Sequence, residues 1–183
     1  ADGDHTVIWE DEEDDVVLGR RFSPTGTPLT AEVVLEDPPG FGWEIASDSE
    51  GNFVRVWVQL DGVSCVDTSS SCILARRYDN TLTPLGATFQ VNEVTTGLQD
   101  SPSIDMLPDG RFVVAWDSDT TPGTAGGNDV RIRLYDVGGV AVGPAVVVAD
   151  TDKPQDSDVA FYNTAGDLVL VWDDSSGIQS RFL

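Results

Sequence analysis

Short apolar runs, each ending in a tryptophan, recur along the chain between polar turns. Three of them are Phe53–Trp57, Phe112–Trp116 and Leu168–Trp172. They are apolar at nearly all successive positions, as expected of strands covered on both faces. No stretch sustains a 3.6-residue period, and 18 glycines and 10 prolines interrupt the chain at short intervals. The pattern predicts an all-β protein built from short strands.

The tryptophan runs belong to an internal repeat. In four segments the tryptophan follows a turn glycine by six residues, at Trp9, Trp57, Trp116 and Trp172. Each tryptophan is followed by an arginine–aromatic mark, which we expect to pair with a neighbouring carboxylate. The marks are Arg21-Phe22, Arg77-Tyr78, Arg133-Leu134-Tyr135 and Arg181-Phe182.

Recurrence of about four short strands in roughly fifty residues is typical of propeller blades. We therefore predict a β-propeller-like fold of about four repeats, with four-stranded antiparallel blades of which the first and last are incomplete. A β-sandwich is the alternative, although a sandwich needs no sequence repeat. The chain is treated as a single repeat domain, 1–183, with units of approximately 1–42, 43–101, 102–157 and 158–183.

Residues 87–143 carry a motif that is Asp109-Gly110-Arg111-Phe112-Val113-Val114-Ala115-Trp116, followed by Arg133-Leu134-Tyr135-Asp136. The motif resembles a family of bacterial repeats from large secreted and surface-attached proteins, which read Asp-Gly-x-Phe-Val-Val-x-Trp and then Arg-x-Tyr-Asp. The resemblance implies a propeller-like scaffold and an exported protein, and it brings no catalytic residue with it. Since repeats one and four are incomplete, we also expect that the 183 residues do not close into an independent ring. Further repeats of a longer chain or a partner would complete it, and a self-closed four-bladed ring is the remaining alternative.

The chain carries a net charge of −22, from 32 acidic and 10 basic residues. Such a field repels phosphate backbones and anionic lipids, which argues against nucleic acid as a partner. No apolar run is long enough for a membrane span, so direct membrane insertion is not expected. The expected partners are a protein, further repeats of a longer chain, or a glycan.

Cys65 and Cys72 are the two cysteines, and they flank a polar stretch. Zinc and redox sites usually place cysteines two to four residues apart or combine them with histidine, and His5 is the single histidine. We therefore predict a disulfide across the hairpin that follows Trp57, with two reduced thiols as the alternative. A disulfide implies an oxidising compartment, so the expected location is extracellular, cell-surface or periplasmic.

Length varies between repeats mainly in the hairpin after the tryptophan, and these hairpins are acidic. Variable loops on one face of a rigid frame are where binding sites often lie. Asp117, Asp119 and Asp129 offer hard oxygen ligands beside a glycine-rich tip, so we predict that they help to bind one Ca²⁺ ion. The alternative for the acidic hairpins is a solvated rim that keeps the protein soluble, and we prefer it for residues 10–15. No other cofactor is expected.

Enzyme signatures are scarce, since the chain has no Gly-x-Ser-x-Gly elbow, His-Glu-x-x-His motif, phosphate-binding loop or nucleotide fingerprint. The repeated tryptophans are expected in the core, whereas Trp43, outside the repeat register, is the candidate for a ligand contact. The leading expectation is a non-enzymatic exported module for binding or assembly within a larger surface structure. The alternative is a lectin or a glycoside-acting enzyme that uses acidic residues of the loop face.

Overall fold

A computed structural model of the chain describes residues 3–36, 40–60, 65–66, 70–119, 128–151, 157–161, 163, 165–174 and 177–183. These residues form strands, turns and bends. Within them there is accordingly no helix of the length and apolarity that a bilayer span requires. The strands are β1 (His5–Asp11), β2 (Val16–Phe22), β3 (Val33–Glu36), β4 (Phe41–Ser47), β5 (Phe53–Leu60), β6 (Ser71–Tyr78), β7 (Phe89–Gln90), β8 (Gln99–Met106), β9 (Phe112–Asp119), β10 (Asn128–Tyr135), β11 (Val146–Thr151), β12 (Ser157–Phe161), β13 (Leu168–Asp174) and β14 (Gly177–Phe182).

The strands form four antiparallel sheets, and within each sheet they lie side by side in chain order. Sheet 1 contains β1 to β3, sheet 2 contains β4 to β7, sheet 3 contains β8 to β11, and sheet 4 contains β12 to β14. The all-β prediction is confirmed, and the four-stranded antiparallel unit is present in sheets 2 and 3.

The predicted tryptophan strands are β5, β9 and β13, and the first two are buried along almost their whole length. Trp57 and Trp116 are 1% and 0% exposed, which confirms that these tryptophans belong to the core. Truncating a buried tryptophan to alanine typically costs about 3–5 kcal/mol, so each of them contributes strongly to stability.

Neighbouring sheets meet through apolar layers. Val54 and Val56 of sheet 2 pack with Val114 and Trp116 of sheet 3. The opposite face of sheet 3, which includes Val113, packs against sheet 4 in a separate cluster. Because side chains alternate between faces along a strand, one strand such as β9 supplies both layers. This double role explains why its run is apolar at successive positions.

The turn before each tryptophan strand has a fixed geometry, seen well in sheet 2. The Asp48 carboxylate accepts hydrogen bonds from the backbone N–H groups of Glu50 and Asn52, at 2.8 and 3.0 Å. Gly51 has a φ of +83°, a conformation that favours glycine. The turn therefore fixes where the strand starts, and with it the six-residue interval to the tryptophan.

Arginines of the repeated marks join one sheet to the preceding one. Arg133 of sheet 3 donates from Nη1 to the Val91 carbonyl at 2.9 Å and from Nη2 to the Glu93 carboxylate at 2.6 Å. Arg181 of sheet 4 donates to the Val148 carbonyl of sheet 3 at 2.8 Å. A guanidinium thus satisfies backbone carbonyls in or beside the outer strand of the preceding sheet.

Two other marked arginines point to the following sheet. Arg21 donates to the Asn80 carbonyl at 2.8 Å, and its other nitrogen pairs with Asp4 at 3.2 Å. Arg77 donates to the Val137 carbonyl at 2.7 Å. Arg21 and Arg133 therefore pair with a carboxylate, as expected. All four arginines also donate to a backbone carbonyl of another sheet or of the turn beside it.

Candidate functional site

Two carboxylates lie opposite each other where sheet 3 ends in its variable hairpin. Asp117 is the first polar residue after Trp116 on β9, and Asp100 is its direct partner across the β8–β9 pairing. Asp117 is 4% exposed, whereas Asp100 is half-buried. Directly opposed residues have Cβ atoms about 4.5–5.5 Å apart and share one face of the sheet. The two side chains therefore form a neighbouring carboxylate pair on the face that packs toward sheet 4.

A bulge in β8 positions Asp100. The register between β8 and β9 shifts between Asp100 and Ser103, and Ser101 within that interval has a φ of +50°. The Ser101 N–H donates to the Asp100 carboxylate at 2.8 Å. Pro102 has no N–H to give to a ladder, so a bulge accommodates it at this point of the strand.

The neighbouring residue Gln99 fastens this strand end to the core. Gln99 is fully buried, and its side-chain oxygen accepts a hydrogen bond from the Trp116 indole at 3.0 Å. Its backbone N–H and carbonyl both bond to the Ser71 hydroxyl of β6, at 3.0 and 2.7 Å. Because satisfied buried polar networks are rigid, the carboxylate next to Gln99 is held in a defined place.

The three residues predicted to bind calcium do not share one face. Asp117 and Asp119 lie on the same face of β9, whereas Asp129 pairs with Ser118 and lies on the opposite face. Asp129 forms an ion pair with Arg131, with 2.9 Å between Oδ2 and Nη2, and both side chains are about 15% exposed. In the described part of the chain no three acidic, histidine or cysteine side chains gather as a metal group would. The glycine-rich tip, 120–127, lies outside the described residues, so calcium binding stays a prediction.

The predicted disulfide is confirmed, since Cys65 and Cys72 are bonded, with Cα atoms 6.0 Å apart. Cys72 is fully buried in a cluster with Trp57 and Leu74. The bond therefore fastens the second variable hairpin to the core of sheet 2. A disulfide of this kind is typical of proteins that function outside the reducing cytosol.

Trp43, the predicted ligand contact, lies half-buried on β4 and packs against the cluster around Trp57 and Cys72. The Arg55 guanidinium carbon lies 4.4 Å from the centre of the Trp57 ring and 5.8 Å from that of Trp43. Arg55 is fully buried, so the rings and the cation form one packed unit. The structure thus gives Trp43 a packing role, and a role in binding stays a prediction.

Two groups with shifted pKa values lie at the other end of sheet 3. Burial raises the pKa of the Tyr135 phenol to about 12. Its ring stacks on Phe112 at the opposite end of β9, with centroids 4.7 Å apart. A hydrogen bond from the Arg111 backbone lowers the pKa of Asp109, in the turn at that end. These groups serve packing and turn geometry.

Asp100 was missed in the sequence because it lies outside the variable hairpin. A signal was present: Gln99-Asp100-Ser101 begins seventeen residues before Trp116, and Gln155-Asp156-Ser157 begins seventeen residues before Trp172. In both repeats the tryptophan is followed by an aspartate, Asp117 or Asp173. Asp156 lies outside the described residues.

Comparison with known proteins gives a similarity in structure only. No protein-family profile matches the chain, and no curated protein matches its sequence. Among solved structures, the chain is similar to an endo-arabinase from Bacteroides thetaiotaomicron VPI-5482, at 19% identity and a TM-score of 0.46. The alignment covers 96% of this chain and 72% of the endo-arabinase chain.

This comparison corrects the leading functional expectation. The sequence favoured a non-enzymatic module for binding or assembly, whereas this structural match is an endo-arabinase. The match favours the carbohydrate-directed alternative over the non-enzymatic module.

Proposed function

We propose that this protein acts on glycosides, with Asp100 and Asp117 as its reacting carboxylates. The observation that carries the proposal is their direct opposition across β8 and β9 at the loop end of sheet 3. Glycoside cleavage commonly uses two carboxyl groups that flank the scissile bond, about 5–5.5 Å apart in enzymes that retain configuration. The Cβ atoms of directly opposed strand residues lie about 4.5–5.5 Å apart, which places two aspartate side chains at a comparable spacing.

The two carboxylates have different surroundings, which favours different roles. Asp117 is 4% exposed, with the apolar Val130 as its neighbour on β10. Asp100 is half-buried at the strand end. In carboxylate pairs of this kind the less solvated group serves as the proton donor and the more solvated one as the nucleophile. We accordingly assign proton donation to Asp117 and attack on the anomeric carbon to Asp100.

The arrangement of the sheets supports this assignment. β8, the first strand of sheet 3, lies beside β4 and β12, the first strands of the neighbouring sheets. We infer that the four sheets are blades of a propeller-like assembly with these strands innermost. Asp100 then lies at one mouth of the central region, where variable hairpins surround a ligand.

The disulfide fits an extracellular or periplasmic location, and a neutral glycan is the partner that we propose. A net charge of −22 disfavours nucleic acids and other polyanions as ligands.

Hydrolysis of a panel of neutral aryl glycosides and polysaccharides tests the proposal. We expect Asp100→Asn and Asp117→Asn each to reduce turnover by about 10²–10⁴-fold, because a proton donor or nucleophile is lost. Asp105→Asn is the matched control, since Asp105 lies half-buried on the same strand and pairs with Val113. Its turnover should stay near that of the unaltered protein.

Two outcomes would contradict cleavage by this pair. One is turnover that both substitutions leave intact. The other is glycan binding, measured by calorimetry, without any product, which would make the protein a lectin.

A further inference from the structure

We propose that Phe41 is an aromatic platform for a neighbouring sugar of the glycan chain on which Asp100 and Asp117 act. This inference rests on the function proposed above and narrows its substrate class to a chain of neutral sugars. Phe41 is the first residue of β4 and is 45% exposed. Among the phenylalanine, tyrosine and tryptophan side chains whose burial the structure describes, only Phe41 and Phe182 are exposed.

Phe41 occupies on sheet 2 the position that Asp100 occupies on sheet 3. Phe41 pairs with Val58 across β4 and β5. Asp100 pairs with Asp117 across β8 and β9 in the same way, and in both sheets the register shifts directly after this pair. Each of the two residues also lies sixteen positions before the buried tryptophan of its repeat. The repeat therefore places an aromatic ring and a carboxylate at equivalent strand ends, next to the variable hairpins.

One hydrogen bond shows that these two strand ends lie at the same level. The Ile104 N–H of β8 donates to the Glu44 carboxylate of β4 at 3.3 Å. Phe41 lies three residues from Glu44 toward the loop end. Asp100 lies four residues from Ile104 in the same direction, and a strand rises about 3.3 Å per residue. Because β4 and β8 lie side by side, the two strand ends are separated by roughly the spacing of packed sheets, about 10 Å.

The faces of the strands separate Phe41 from the scissile bond itself. Phe41 shares the face of its partner Val58, which packs toward sheet 3. Asp100 and Asp117 lie on the face of sheet 3 that packs toward sheet 4, so β8 lies between the ring and the carboxylate pair. A ring in this place contacts a neighbouring sugar of the chain and not the sugar whose bond is cleaved.

Two glycines fix how the ring is presented. Gly40 and Gly42 flank Phe41 and have φ values of +63° and +55°, a conformation that favours glycine. A β-carbon at Gly40 would overlap the Trp57 indole and the Val58 carbonyl oxygen, so the backbone lies directly against the core there. The backbone beside Phe41 is therefore fixed, while its ring stays nearly half exposed.

The chemistry of an exposed phenyl ring suits a sugar. One face of a neutral pyranose or furanose consists largely of C–H bonds, which carry a partial positive charge. The negative face of an aromatic ring attracts such groups, and stacking also removes apolar surface from water. Ligand sites commonly combine aromatic walls with a few polar groups, as Phe41 and the carboxylate pair do. Phe41 thus offers the exposed ring that the sequence predicted at Trp43, two positions further along β4.

Kinetics on short and long substrates test the platform, with the aryl glycosides and polysaccharides named above. We expect Phe41→Ala and Phe41→Leu to raise KM for the polysaccharide about tenfold and to leave kcat within about twofold. Both parameters should stay unchanged for aryl glycosides of a single sugar. Phe41→Tyr keeps the ring and should behave as the unaltered protein does. Phe182→Ala is the matched control, since Phe182 is an exposed phenylalanine (67%) at the turn end of sheet 4.

Binding is measured separately from cleavage, by electrophoresis in native gels that contain arabinoxylan, galactomannan or β-glucan. Asp100→Asn should be retarded by the polysaccharide without cleaving it. The double variant Asp100→Asn/Phe41→Leu should lose most of this retardation, whereas Asp100→Asn/Phe182→Ala should keep it. Circular dichroism and melting curves establish that each variant is folded.

The outcomes distinguish this inference from the proposed function. If Asp100→Asn abolishes turnover but Phe41→Leu leaves KM for the polysaccharide unchanged, the platform is wrong and cleavage stands. The platform is also wrong if Phe41→Leu raises KM equally for the aryl glycosides, or if Phe182→Ala has the same effect. Retardation that depends on Phe41 without any turnover would support the platform and contradict cleavage. Absence of both turnover and retardation would overturn both.

Discussion

A buried indole N–H needs an acceptor, and sheets 2 and 3 satisfy this need with different residues. In sheet 3 Gln99 of the neighbouring strand accepts from Trp116 at 3.0 Å. In sheet 2 the acceptor for Trp57 is Gln59, two residues further along the same strand, at 3.4 Å. Gly40 lies against the Trp57 ring there, where any β-carbon would overlap the indole. Both repeats thus have a buried tryptophan at the same position, while the residue that accepts its indole hydrogen bond differs between the two sheets.

Tyr135 gives a prediction at the scale of one residue. Its pKa is raised from 10.0 to about 12, mainly by burial. The folded state therefore holds the phenolic proton more tightly than the unfolded state. The contribution of this phenol to the free energy of unfolding is fully present below pH about 10. It is lost as the pH rises toward 12, which lowers the free energy of unfolding by about 2–3 kcal/mol. Tyr135→Phe should remove this part of the alkaline loss, as urea unfolding at pH 8, 10 and 11 can measure.

The comparison at pH 8 is the control for that experiment, because the Tyr135 hydroxyl has no hydrogen-bond partner among the described residues. The variant should then be as stable as the unaltered protein or slightly more so. Parallel pH curves for the two proteins would contradict the assignment.

At the scale of strands, the sequence predicts the positions of those strands that are covered on both faces. The runs that end in Trp57 and Trp116 are apolar on both faces, and this alone identifies them as central strands. The register could not be read in the same way, because a shift of one residue exchanges the faces. Asp129 therefore lies opposite the face of Asp117, contrary to the grouping that hairpin proximity implied. The repeated Gln-Asp-Ser motif marks Asp100, but it does not reveal the bulge that brings Asp100 opposite Asp117.

The hairpin held by Cys65 and Cys72 carries the prediction at this scale. The two residues are separated by seven positions, so the bond closes a short loop. Constraint of the unfolded chain by such a loop contributes about 2 kcal/mol. Reduction under native conditions should lower the free energy of unfolding by this amount, measured by urea titration with and without reductant.

The Cys65→Ala/Cys72→Ala variant distinguishes the effect of the covalent bond from the effect of packing the two side chains. Its stability should not respond to reductant, and it should lie below that of the reduced protein because Cys72 is buried beside Trp57. Equal stability of the oxidised and reduced protein would show that the loop is ordered without the bond.

At the scale of the whole molecule, apolar layers hold the sheets together, with arginines at their margins. In the part of the chain that the structure describes, eight buried apolar residues fill the layer between sheets 3 and 4. Arg181 adds a bond across its edge. The sequence predicts apolar layers with arginines at their margins, because both features recur in each repeat. It does not predict how far each layer extends, since Leu134 and Val146 are apolar yet exposed. The extent depends on strands that pack from outside a given repeat.

Charge gives the prediction for the whole molecule. With 32 acidic and 10 basic residues, self-repulsion opposes the compact state, while pairs such as Arg133–Glu93 favour it. Repulsion should dominate because acids outnumber bases threefold, so screening should stabilise the protein. The Debye length falls from about 30 Å at 0.01 M salt to about 3 Å at 1 M. We expect the melting temperature to rise with NaCl over this range. Replacing the exposed Glu12 and Glu13 by glutamine should raise it at low salt only. A melting temperature that falls with NaCl would show that ion pairs dominate.

Calcium binding gives a second prediction that melting curves can test. Calcium at matched ionic strength should raise the melting temperature further if Asp117 and Asp119 bind it, and that increment should be lost in Asp119→Asn.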